Sequence, residues 1–243
     1  MASFESIRGR IVVVTGATGA LGRVVVKRFL EAGASVAAVH RSEERFRDLA
    51  VFAAGAPEAL AGFKADVTSE TDVRDMVDQV VRRYGRVDAL LNLVGAYRGG
   101  AEVASTREDD WDLLMRMNLK SAFLCSRAVL PVMMKGGYGR IVSVAARPAV
   151  EKRGRAKSGA YAVSKAGVVV LTEAIAEETK KSGITANCIV PGTIDTPRNR
   201  TDITGADVSK WADPGEIAEV LLFLVSEASS VVSGAAIPVF GKS

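Results

Sequence analysis

The chain has 243 residues, 48% hydrophobic and 25% charged; that excludes a disordered chain and suffices for one large α/β domain. The net charge of +4, with no Lys/Arg block, gives no sign of nucleic-acid binding and leaves only a mild attraction for an anionic small ligand. His40 is the only histidine, which excludes a Ser-His-Asp triad and a histidine-bound metal, and Cys125 and Cys188 lack metal-ligand spacing.

The segment from Met1 to Arg10 carries Glu5 and no apolar stretch of signal-peptide type, and no run reaches the roughly 18 apolar residues of a membrane span. Reduced thiols and a cytoplasmic location are therefore expected. Ile11 to Val14 is a β-branched run that ends in a glycine-rich turn, the pattern of a buried parallel strand. A helix from Leu21 to Ala32 follows and stops at Gly33. Ser35 to His40 is the second strand, Glu43 to Ala54 a helix, and Gly62 to Val67 the third strand. Ser69 caps a helix that runs to Tyr84 and ends at Gly85. Val87 to Asn92 is the fourth strand. A loop with Gly95, Gly99 and Gly100 leads into a long helix from about Arg107 to Met134, within which Trp111 is expected to pack inward. Arg140 to Ala145 is the fifth strand, and the basic stretch from Arg147 to Lys157 reads as a solvated loop. A helix from Gly159 to Lys181, a strand from Ile184 to Val190, a helix from Pro214 to Ser226 and a strand from Ala235 to Val239 complete the chain.

This alternation predicts an α/β fold: a single-domain, Rossmann-type, doubly wound parallel sheet of about seven strands with helices on both faces. Ligands then sit beyond the carboxyl ends of the strands. Gly16 suits the tight turn, and Gly22 lets the following helix approach the sheet. The helix start offers free N–H groups to a pyrophosphate. An acid at the end of the second strand would favour NAD. This chain has His40 and Arg41 instead, and Arg41 can pair with a 2′-phosphate, so NADPH is the expected cofactor. Tyr161 and Lys165 are four apart on a helix and share a face. An ammonium beside a phenol is expected to lower the phenol's pKa and make Tyr161 a general acid/base.

The ordered set Thr15 to Gly22, Asp66-Val67, Asn92-Leu93-Val94-Gly95, Asn118, Tyr161 with Lys165, and Pro191-Gly192 resembles the short-chain dehydrogenase/reductases over nearly the whole chain. The resemblance implies an oxidoreductase acting on a small molecule, with Tyr161, Lys165 and Asn118 catalytic and Asn118 supporting a proton relay to Lys165. It implies that Gly16, Thr18, Gly19, Leu21 and Gly22 hold the dinucleotide beside His40 and Arg41. It further implies that Asp66 and Val67 hold the adenine and that Asn92 and Gly95 line the cleft. Pro191, Gly192, Ile194 and Thr196 then cover the nicotinamide. Family members commonly associate through the helices around Asp109 to Met134 and Tyr161 to Lys180, so a homodimer or homotetramer is expected.

One departure matters. The family's substrate-binding serine falls at Ala146, and loss of that donor weakens the hold on a developing oxyanion. Ser143 is turned away by strand alternation, and Ser158 lies in the adjacent loop. The quinonoid dihydropteridine reductases also lack this serine. Ala145-Ala146-Arg147 and the segment from Asp195 to Trp211 resemble them locally. The acceptor is therefore expected to be a ketone, a quinone or a quinonoid pterin, with Ala146, Arg147, Tyr97 and Trp211 as candidate substrate contacts. The alternative is a non-catalytic dinucleotide-binding sensor or assembly subunit.

Overall fold

Runs of Val, Ile, Leu and Ala with almost no charge must be covered on both faces, and the chain places them at the centre of one sheet. The computed structural model describes residues 7–53 and 57–242. Its strands are β1 (Ile11–Thr15), β2 (Ser35–His40), β3 (Leu60–Lys64), β4 (Ala89–Asn92), β5 (Gly139–Val144), β6 (Ile184–Pro191) and β7 (Ala236–Val239). They form one parallel sheet in the order β3-β2-β1-β4-β5-β6-β7. β1, β4 and β6 are buried along their whole length, whereas edge strand β3 alternates between buried and exposed residues.

The helices are α1 (Ala20–Glu31), α2 (Glu43–Phe52), α3 (Glu70–Tyr84), α4 (Glu108–Leu114), α5 (Ser121–Gly136), α6 (Arg147–Val150), α7 (Gly159–Glu178), α8 (Pro197–Asp202) and α9 (Pro214–Val225). The period-two alternation of the strands sorts the core into two layers. Val12, Val14, Leu91 and Ile189 meet Val25 and Phe29 of α1 and Ile217 and Leu221 of α9. Val13, Leu90 and Ile141 meet Met76 of α3, Val129 of α5 and Ile175 of α7. The order reverses at β1, which lies between β2 and β4, and this opens the crevice.

Several boundaries differ from the expected ones for physical reasons. β3 ends at Lys64 and does not run to Val67, because β2, its partner among the described residues, ends opposite at His40. Asp66 then starts a turn, accepting from the N–H and hydroxyl of Thr68. The expected helix over 107–134 is interrupted by a π-helical stretch, Met115–Lys120, and ends at Gly136 before the left-handed Gly137. α6 is a short helix in the segment read as a loop, and α8 is a second short helix between β6 and α9. Ala54, the expected end of the second helix, and Met1 to Ser6 lie outside the described residues. Trp111, expected to be packed inward, is 42% exposed. By length and composition, α7 alone among the described helices is apolar enough to cross a membrane, although Lys165, Glu173 and Glu177 break its apolar residues into shorter runs. Its Val168, Thr172, Ile175 and Ala176 are buried instead within this chain.

Candidate active site

The turn after β1 is built so that α1 can sit directly on it. Thr15 Oγ1 donates to the Leu91 carbonyl at 3.2 Å and accepts from the Leu93 N–H at 3.1 Å, so β1 and β4 end in step. Gly16 has φ +67°, and a Cβ there would come within 3.2 Å of Leu93 and Val94 backbone atoms. A methyl on Gly22 would collide with the Gly16 carbonyl and approach Ala17 Cα to 2.9 Å. Gly19 caps α1 without a side-chain hydrogen bond. The first N–H groups of α1, beginning at Ala20 and Leu21 just past Thr18, therefore face the crevice without a side-chain cap.

At the end of β2, His40 is buried and stacked on Phe46 with ring centroids 4.8 Å apart. Its Nε2 is 4.0 Å from Glu43, and burial holds its pKa below the usual histidine value. His40 thus supports the turn from beneath, while Arg41 is exposed above it. Asp66 faces the same crevice, and Val67 is buried beside it. The Thr68 N–H, then its hydroxyl and the Arg41 charge, hold the Asp66 carboxyl below the usual range.

Asn92 lies inside the sheet. Its Nδ2 donates to Ser126 and Ser143 at 3.2 Å each. Ser143 is consequently tied into the interior, as strand alternation implied. Gly95 is different: a Cβ there would stand 3.1 Å from Asn118 Oδ1 and 3.2 Å from Lys165 Nζ. The missing side chain leaves the Asn118 and Lys165 heads converging on one backbone site. Asn118 sits in the π-helical stretch, where its Oδ1 accepts from the Ala96 N–H at 2.7 Å. Its Nδ2 donates to the Ala96 carbonyl at 3.0 Å and to Ser164 Oγ at 2.9 Å. Ser164 donates in turn to the Tyr161 carbonyl at 2.8 Å. Asn118 thereby clamps the loop after β4 to α7. Ser164 was missed as a contributor, although it stands in the quoted Tyr-Ala-Val-Ser-Lys stretch, three residues after Tyr161.

Tyr161 and Lys165 lie on the first turns of α7, and Lys165 is 4% exposed. Its Nζ donates to the Val144 carbonyl at 2.7 Å. Burial lowers Lys165 to about 8. Burial, with a smaller effect of Tyr97, raises Tyr161 to about 12. The expected lowering of the phenol's pKa is therefore corrected. Both groups are desolvated, which disfavours both charges, and the ammonium is turned to the end of β5.

The substrate candidates separate clearly. The Tyr97 ring meets the Tyr161 ring edge-on, with centroids 4.9 Å apart and planes at 83°. Tyr97 is also 60% exposed, so it can meet a ligand. Ala146 is buried in extended backbone at the end of β5, with no hydroxyl to offer. The Arg147 guanidinium lies 3.9 Å over the Phe240 ring, with Glu151 3.7 Å away. Ser158 donates to the Gly154 and Arg155 carbonyls. Beyond Pro191 and Gly192, the Ile194 backbone bridges to Ala212, and Thr196 caps α8 by accepting from the Asn199 N–H. Trp211 follows on the same segment, where its backbone abuts Gly241.

A cavity of about 550 Å³ runs from Arg41 and Asp66 to Gly95 and Tyr97. Arg116 of the π-helical stretch and Arg198 of α8 also line it, as does Arg98. None of these three had been singled out as a cofactor contact. Leu113, Arg116 and Met117 share one helical face, but which face meets the crevice depends on the π-helical insertion. Residues 10–206 match the family model described as short chain dehydrogenase. The 3-oxoacyl-(acyl-carrier-protein) reductase FabG of Thermotoga maritima is 33% identical over 97% of this chain and 98% of its own length. The (2S)-((R)-hydroxy(phenyl)methyl)succinyl-CoA dehydrogenase subunit BbsD of Thauera aromatica is 34% identical over 97% and 96%. Among solved structures, a gluconate 5-dehydrogenase from Burkholderia cenocepacia in complex with NADP and tartrate superimposes with a TM-score of 0.89 at 29% identity, covering 98% of this chain and 97% of that one.

Proposed function

Because the chain belongs to the short-chain dehydrogenase/reductase family, we propose that it is an NADPH-dependent reductase with Tyr161 as proton donor. Its acceptor is a carbonyl or an electron-poor conjugated group. The observation behind this reading is that Lys165 and Asn118 converge beside Gly95 while Tyr161 packs against Tyr97, and that Gly95 and Tyr97 line one crevice with Arg41 and Asp66. The residues fit a dinucleotide. Gly22 brings α1 onto the turn, Gly95 leaves backbone open beside Lys165, and Arg41 stands where a 2′-phosphate belongs. The NADP complex of the similar gluconate 5-dehydrogenase supports the choice of cofactor.

The bound cofactor would supply hydride from its nicotinamide. Tyr161, kept protonated up to about 12, is ready at neutral pH to give its proton to the acceptor atom. With a ketone, the hydride would become the new C–H and the Tyr161 proton the O–H; with a quinone or quinonoid pterin, both would end on the acceptor's oxygen or nitrogen atoms. Lys165, at about 8, is the stronger acid of the two and returns a proton to the tyrosinate. Asn118 fixes the loop and the helix between which this proton passes, and supports the relay. Ala146 supplies no second donor to an oxyanion, which favours an acceptor that delocalises the incoming charge, such as a quinone or a quinonoid pterin. Tyr97 offers such a planar group an aromatic surface. A homo-oligomer and a cytoplasmic location complete the reading.

The test is NADPH consumption against a ketone, a 3-oxoacyl thioester, an ortho-quinone and quinonoid dihydropterin, using wild type and Ala146→Ser. Wild-type turnover of the quinone or pterin, with less than about threefold gain from the restored hydroxyl, is expected. No turnover of any acceptor by wild type, with ketone reduction appearing only in Ala146→Ser, would contradict it and favour a dinucleotide sensor.

A further inference from the structure

Four guanidinium groups and one carboxylate line the same cavity: Arg41, Arg98, Arg116 and Arg198 against Asp66. They come from four different elements, namely the end of β2, the loop after β4, the π-helical stretch and α8. Like charges facing one another across a cavity repel, so the arrangement suits a ligand with several negative charges. Arg98 is already engaged, 3.6 Å from Asp110. Arg198 pairs with Asp202 at 3.1 Å, but both side chains are largely exposed, so that pair holds little energy and is easily exchanged. No acid lies within 4 Å of Arg41 or Arg116 among the described residues.

We propose that Arg116 and Arg198 join Arg41 as ligands of the cofactor's 2′-phosphate, so that three elements share the selection of NADPH over NADH. The inference rests on the NADPH reading above. A 2′-phosphate brings about −1.5 to −2 charges and three acceptor oxygens at neutral pH. One guanidinium leaves part of that charge unmatched, whereas three balance it together with Asp66. Arg116 reaches the cavity because Leu113, Arg116 and Met117 lie on the face of the helix turned to it. Arg198 exchanges Asp202 for the phosphate, a stronger charge-assisted contact, and α8 is thereby drawn over the crevice only when the phosphate is present. Asp202, on the same helix, competes with the phosphate for the Arg198 guanidinium.

The experiment is calorimetric titration of the full-length protein with NADPH and with NADH, for wild type, Arg116→Ala, Arg198→Ala and Asp202→Asn. Circular dichroism confirms that each variant is folded, and all three substituted sites are on the surface. Each arginine variant is expected to bind NADPH about tenfold more weakly, with NADH changed by less than about twofold. Asp202→Asn is expected to tighten NADPH alone. Wild type that prefers NADPH, with both arginine variants keeping its NADPH-to-NADH ratio, overturns the assignment and leaves the cofactor reading intact. So does unchanged NADPH affinity with a raised KM for the acceptor, which would place these arginines on the substrate. Wild type that binds NADH at least as tightly as NADPH overturns the cofactor reading itself.

Discussion

At the residue scale, Tyr161 and Lys165 are governed by desolvation. Each is pushed towards its neutral form, so the two move in opposite directions, the phenol to about 12 and the ammonium to about 8. The helical spacing in the sequence correctly places them on one face. It says nothing about the dielectric around them, which is why the expected lowering of the phenol fails. Lys165 is depressed from 10.5, so the unfolded chain holds this proton more tightly than the folded one between about 8 and 10.5. The stability linked to Lys165 is thus present above about 10.5 and lost as pH falls through about 8. Lys165→Met is expected to unfold at higher urea than wild type near pH 7, by a stability gain on the order of 3 kcal/mol. That gain should shrink on approaching pH 10. An equal difference at both pH values would show that Lys165 is not held against its charge.

At the element scale, the glycine turn and the π-helical stretch do most to shape the site. The turn was legible because Gly16, Gly19 and Gly22 follow a β-branched run and open an amphipathic helix. Gly22→Ala is the sharp test of that packing. Its methyl would collide with the Gly16 carbonyl, a backbone atom with little room to yield. A stability loss of about 1–3 kcal/mol is expected, together with weakened NADPH binding as α1 backs away from the turn. Wild-type melting and affinity would contradict the geometry. The π-helical stretch was not legible, since a helical pattern gives no sign of one extra residue in a turn. For that reason Asn118 was placed in the site from resemblance and Arg116 was not placed there at all. The β3 boundary was misread because the residue pattern of one strand does not reveal where the neighbouring strand β2 stops.

For the whole molecule, strand count, parallel order and the position of the crevice all follow from the alternation of buried runs and helices. Quaternary structure does not follow so directly, yet the surface points to it. Phe123 and Met134 on α5 and Val163 and Val170 on α7 are exposed apolar side chains, between 41% and 63% accessible. These are the helices through which an oligomer was expected to form, and burying such side chains against a second copy is favourable. Sedimentation equilibrium should give a dimer or tetramer of the 25.6 kDa chain, and Phe123→Glu with Val170→Glu should lower the mass towards the monomer. A monomeric wild type would contradict this.

The central claim is that Tyr161 gives the proton while the rest of the site holds the cofactor, and Tyr161→Phe tests it most directly. NADPH affinity and single-turnover reduction of the best acceptor would be measured on the same preparation. The predicted result is affinity within about threefold of wild type and a rate lower by at least about a hundredfold. A rate within a few fold of wild type would contradict the claim and require another proton donor.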